Sequence, residues 1–143
     1  MIPSGRPPKS ALQDAQLSAY LERLEWERER VGDAHFRTTH KTSEGDFVID
    51  LQVRRAWLVA RVDPFLDTGG DNSFELSRWL LRQNWDMPQA KFGYDTEGRV
   101  VLTVELPTEY LDYVEVETAL RTLLSATVKH RRTLREAVEQ AQP

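Results

Sequence analysis

The feature that most constrains this 143-residue chain is a two-residue apolar rhythm that occurs twice. Phe47, Ile49, Leu51 and Val53 alternate with Val48, Asp50, Gln52 and Arg54. Val100, Leu102, Val104 and Leu106 alternate with Val101, Thr103 and Glu105. Successive side chains of a strand point to opposite faces, so each run predicts a strand with one face in a core. Such strands need neighbours, and the flanking sequence supplies them. His35 to Thr42 is β-prone and is followed by a Glu44-Gly45-Asp46 turn. Ala56 to Val62 is more uniformly apolar and predicts a more central strand, which Asp63-Pro64 ends or marks as an edge. Before the second run, Ala90, Phe92 and Tyr94 alternate with Lys91 and Gly93. Asp95-Thr96-Glu97-Gly98 then turns the chain, with glycine at the left-handed position.

Three helices surround these strands. The first is expected from Ser10, with Gln13 as capping-box partner, to about Arg30, stopping at Gly32. Leu17, Tyr20, Leu21, Leu24 and Val31 form its stripe, and Trp26 falls opposite. The second starts at Asn72 with Glu75 three residues on and runs to about Asn84; Met87-Pro88 blocks its continuation. The third is capped by Asp112 with Glu115, and no glycine or proline occurs up to Gln142. Its stripe is Val116, Leu120, Leu123, Leu124, Val128, Leu134 and Val138. Residues 1–9 hold three prolines and a glycine and read as a flexible tail; 10–143 reads as one domain. The order α-β-β-β-α-β-β-α predicts an α+β fold, an antiparallel sheet packed with helices.

No set of residues with recognisable chemistry emerges. The chain has no cysteine, which removes disulfides, thiolate nucleophiles and zinc–thiolate sites. His35 and His40 are five apart on a strand and point to opposite faces; His130 has no companion at helical spacing. Asp67-Thr68-Gly69 copies the aspartic-protease tripeptide, but that chemistry needs a second carboxylate in a shared cleft. Asp63, Asp67, Asp71 and Glu75 lack calcium-loop spacing. Neither a phosphate loop nor a nucleophile elbow is present. The expectation is a non-enzymatic protein without cofactor or metal.

The net charge of −4 argues against nucleic acid as a direct partner, because such binding draws on phosphate neutralisation. Lys129, His130, Arg131, Arg132 and Arg135 form the one basic cluster, which Glu136 and Glu139 dilute; it reads first as a solvated face with local ion pairs. The alternative reading is a regulatory module acting on nucleic acid or its binding proteins through this part of the last helix. No apolar run approaches the ~20 residues of a membrane span, and the first residues do not resemble a secretory signal, so a cytoplasmic location is expected.

Apolar surface exceeds what one core needs. On the second helix Leu76, Trp79 and Leu80 lie on one face, and Phe74, Leu81 and Trp85 on the other. The second face needs another helix of this chain or another chain to cover it, and the small size of the domain favours a second copy. The last helix would span ~45 Å at 1.5 Å per residue, against ~35–40 Å for a compact domain of this length. Arg131 interrupts its stripe. Either the arginine stem packs and its charge reaches water, or the stripe there becomes an interface.

Leu80-Leu81-Arg82-Gln83-Asn84, Met87-Pro88-Gln89-Ala90-Lys91-Phe92-Gly93-Tyr94-Asp95, Gly98 and Val104-Glu105-Leu106-Pro107 together resemble the YbjN family. The likeness extends in layout from Phe47 to Val128, and the Leu111-Asp112 helix start also fits. YbjN proteins in turn resemble type III secretion chaperones, small and often acidic homodimers that bind a segment of another protein without ATP. The resemblance therefore implies dimerisation and an unidentified client protein. Phe74, Leu81 and Trp85 are the expected dimer contact. Trp26, Lys91, Thr103, Arg131, Arg132 and Arg135 are the expected partner-binding positions.

Overall fold

In the computed structural model, residues 12–141 are described, with side chains through residue 137. The expected tail, the Ser10 helix start and the Val138 side chain lie outside the described residues. The elements run α1 (Asp14–Arg23), β1 (Glu29–Gly32), β2 (His35–Thr42), β3 (Gly45–Arg54), β4 (Trp57–Leu66), α2 (Phe74–Asp86), β5 (Lys91–Tyr94), β6 (Val100–Pro107) and α3 (Tyr113–Ala141). The strands form one sheet in the order β1-β2-β3-β4-β6-β5, and every neighbouring pair is antiparallel.

The expected α+β order is present with one added edge strand. The first helix ends well before Gly32. Glu25 takes a left-handed φ of 61°, and the Trp26 and Glu25 amides close back on Leu21 O and Glu22 O. This C-terminal closure usually uses glycine. Here Trp26 packs edge-on against His40 of β2, with centroids 4.2 Å apart, and that tertiary seat holds the turn. The released segment becomes β1. Asp14 Oδ1 ties it down by accepting from the Ala34 amide at 2.7 Å and from Arg30 Nε at 3.0 Å.

Among the described residues, helices cover one face of the sheet. Phe36, Ile49, Leu51, Leu58, Ala60, Val62, Phe92, Leu102 and Val104 point into the core, as the alternation requires. Helix α3 lies across β4 and β6, α2 against β5, and α1 against α3. Strand β4 does not end at Asp63-Pro64 but continues to Leu66. Its pairing with β6 shifts register between Val62 and Leu66, which puts the donor-less proline where the ladder is already interrupted. The gain is a fully buried Phe65, edge-on to Phe92 at 4.8 Å.

Ser73, not Asn72, caps α2, its Oγ accepting from the Leu76 amide at 3.0 Å. Asn72 instead donates from Nδ2 to Gly98 O at 2.7 Å, tying the β4–α2 loop to the β5–β6 turn. Asp112 caps α3 as expected, with its Oδ1 2.9 Å from the Glu115 amide. The buried face of α3 is Val116, Ala119, Leu120, Leu123, Thr127 and His130. The two polar members donate to carbonyls one turn back, Thr127 Oγ1 to Leu123 O and His130 Nδ1 to Ala126 O, so their burial leaves no orphaned donor there.

Candidate interaction surfaces

Helix α2 divides its apolar residues as its periodicity predicts. Leu80 is buried and Trp79 and Leu76 are half-buried against the core, while Phe74, Leu81 and Trp85 are 76%, 69% and 89% exposed. With exposed Arg78, the outward residues form one column with gaps of four, three and four. Three large apolar side chains aligned in water are a contiguous patch rather than scattered exposure.

Beside this column the sheet edge at β5 is closed from within. Asn84 acts as a strand partner for Phe92: its Oδ1 accepts from the Phe92 amide at 2.7 Å and its Nδ2 donates to Phe92 O at 3.1 Å. Lys91 Nζ reaches Asn84 O at 2.8 Å and Met87 O at 2.5 Å, capping the last turn of α2. Lys91 thus has a structural task, and so does the Asn84 to Phe92 segment that carries the family likeness. An unpaired edge invites strand addition, and here its backbone groups are satisfied at Phe92.

The uncovered sheet face is charged. At one register, Glu29, Arg37, Asp50, Arg61, Thr103 and Lys91 line up across all six strands. Asp50 Oδ1 accepts from His35 Nε2 at 2.8 Å and from Arg37 Nε at 3.3 Å. Arg61 Nε is buried without a hydrogen-bond partner. Trp57, 46% exposed, ends this face between Arg54 and Pro107. Its position on the polar side of the β4 alternation was the available signal for it.

The end of α3 packs back on its own chain. Glu44, in the β2–β3 turn, has a side chain only 5% exposed and receives Arg135 through Nε at 2.8 Å and Nη2 at 3.3 Å. Arg132 stands 3.7 Å from the same carboxylate, and its Nη2 donates to Ser43 Oγ at 3.3 Å. The Arg135 hydrogen bonds hold the Glu44 carboxyl below the usual glutamate range, with the nearby charges of Arg135, Arg132 and Arg131 adding to the effect. Arg131 sits 5.8 Å over the Phe65 ring, and its buried Nε has no hydrogen-bond partner. Below this clasp lies a groove of about 570 Å³ lined by Ser43, Glu44, Leu66, Leu76, Arg131, Leu134 and Arg135.

The expected positions therefore fall in four places. Phe74, Leu81 and Trp85 share the outer column. Arg131, Arg132 and Arg135 gather around Glu44, a residue the sequence did not flag because it lies about ninety positions away. Lys91 and half-buried Thr103 lie on the open sheet face. Trp26 is half-buried against the core and packs on His40. His35 and His40 do face opposite sides: His35 bonds Asp50, and burial holds the His40 imidazole below its ordinary pKa. The Asp67-Thr68-Gly69 tripeptide forms a turn in which Asp67 Oδ1 accepts from the Gly69 amide at 2.8 Å. Among the described residues, no group of three His, Cys, Asp or Glu is placed to hold a metal ion, and no helix is long and apolar enough to cross a membrane.

Residues 13–136 match the model of the YbjN family, described as "Putative bacterial sensory transduction regulator". Among solved structures, the fold is similar to the Yersinia pestis type III secretion chaperone SycH, crystallised in complex with a stable fragment of YscM2. The TM-score is 0.57 at 18% identity, covering 81% of this chain and 97% of that chain. Comparison with curated proteins finds no match.

Proposed function

We propose that this chain, which belongs to the YbjN family, acts as a non-enzymatic cytoplasmic homodimer, a chaperone-like or adaptor protein that binds a segment of a client protein. The observation that carries the reading is the outer column of α2. Its 4-3-4 spacing reads the same in both directions. An antiparallel twofold pairing therefore sets Phe74 against Trp85 of the second copy, and Leu81 against Arg78. Self-complementarity of this kind is what a twofold contact demands. The two columns together hide on the order of 1,000 Å², close to the lower bound for a specific interface. The likeness to a chaperone that was crystallised with a fragment of another protein supports the client half of the reading.

Light scattering tests the dimer. The wild type is expected at twice the chain mass, and Leu81→Glu at the chain mass with unchanged circular dichroism. A wild-type monomer at ~10 μM, in the range where standard-sized interfaces hold, removes the dimer. For the client, tagged protein recovered from its native host should retain one polypeptide in fixed stoichiometry. The purified pair should then re-form a complex without nucleotide. Failure to re-form it removes client binding.

A further inference from the structure

The groove under the Glu44 clasp has an apolar floor and an unbalanced rim. Leu66, Leu76 and Leu134 make the floor. Arg131 and Arg135 line the groove together with the one carboxylate of Glu44, and Arg132, just outside the lining, stands 3.7 Å from that same carboxylate. Glu44 is already engaged by Arg135 through two hydrogen bonds. Arg132 is too far from Glu44 for a direct hydrogen bond, and half of its side chain faces water. Arg131 keeps a buried Nε with no acceptor, against the ring of Phe65. Guanidinium carries five donors; Arg132 uses one on Ser43 Oγ, and the pair keeps further donors beside an apolar surface. A carboxylate arriving there would meet two cations in a partly desolvated setting, where charge-assisted hydrogen bonds are strongest.

We propose that this groove docks an acidic, apolar-rich stretch of the client polypeptide, a carboxylate reaching Arg131 and Arg132 while a neighbouring leucine or phenylalanine side chain enters the floor. This rests on the reading of the chain as a client-binding protein and names the site and the chemistry of the client. Charge complementarity sets the sign of the occupant, since a basic segment would add to three cations. The floor selects a polypeptide over nucleic acid, whose phosphates have no use for three leucines.

The test uses the full chain and a labelled synthetic peptide that alternates aspartate or glutamate with leucine and phenylalanine, followed by fluorescence anisotropy. A peptide with lysine in place of each acid, dodecanoate and a single-stranded oligonucleotide are the competing probes. Saturable binding of the acidic peptide alone is expected. It should weaken with salt, and by at least about tenfold in Arg132→Glu and in Leu134→Gln. Both positions are partly exposed, and circular dichroism confirms that the variants fold. Equal affinity for the lysine peptide overturns the proposal. So does unchanged affinity in both variants, or saturable binding of dodecanoate or the oligonucleotide in place of the peptide. If the wild type re-forms a complex with its client and Arg132→Glu does so equally well, the groove assignment fails while client binding stands. If no client complex re-forms at all, the underlying reading fails with it.

Discussion

Replacing Asn84 by alanine isolates the device that joins α2 to the edge strand. The amide of Asn84 makes two hydrogen bonds with the backbone of Phe92, at 2.7 Å and 3.1 Å, and Phe92 is 7% exposed. A hydrogen bond contributes a net ~1 kcal/mol, and a buried backbone group left without a partner costs ~1–3 kcal/mol. Some of that cost is recovered if water reaches the strand edge, so the expected loss is about 2–3 kcal/mol. Urea denaturation at pH 7 should show a lower midpoint with an unchanged slope, because the surface exposed on unfolding is the same. Amide exchange supplies the local reading: the Phe92 N–H should lose its protection before the centre of β6 does. Asn84→Asp keeps the acceptor and loses the donor. It should therefore destabilise the protein while sparing the Phe92 amide. A change below ~0.5 kcal/mol in Asn84→Ala, with Phe92 still protected, would refute the claim that this side chain closes the edge.

Three other outcomes follow from the same geometry. Gly98→Ala should cost about 1–2 kcal/mol in a thermal or urea melt, because φ is +79° and an added Cβ would meet Gly70 Cα at 3.1 Å. Gly93→Ala, where an added Cβ meets nothing within 4 Å, should stay within ~1 kcal/mol of wild type by the same assay. Leu123→Ala, at a fully buried position of α3, should lose about 3–5 kcal/mol in urea, a range set by how far the cavity relaxes. The Glu44 pair predicts a pH dependence of definite sign. Its folded pKa lies below the unfolded value, so its contribution is fully present above the ordinary glutamate range and is lost as pH falls through the depressed folded value. Stability measured by denaturant from neutral to acid pH should show Glu44→Gln without this component, the two proteins converging at the acid end.

Much of the fold was legible because its causes are local. Alternation at Phe47–Val53 and Val100–Leu106 assigned both strands and the face each one buries, since the side-chain period of a strand is two. Asp112 announced the start of α3 because an N-cap is satisfied within one turn. The outer column of α2 was visible as well, because helical spacing alone separates Phe74, Leu81 and Trp85 from Leu76 and Leu80. The Asn84 to Phe92 stretch carries the family likeness in the sequence alone. In this chain the same stretch makes the side-chain stitch to the edge strand.

What the sequence could not decide depended on residues far apart in the chain. Glu25 ends α1 in a conformation that favours glycine, held by Trp26 seated on His40, a contact that exists only once β2 has formed. Strand β4 runs past Pro64 because Phe65 gains a core site against Phe92. Around Arg131 the tertiary structure decided what the stripe could not: its neighbours fasten α3 to Glu44 in the β2–β3 turn, while Arg131 itself keeps a buried donor unused beside an apolar groove. Periodicity and capping are short-range and can be read along a chain. Where a helix end comes to rest, and which charges it meets there, is settled by packing between elements that the sequence does not place side by side.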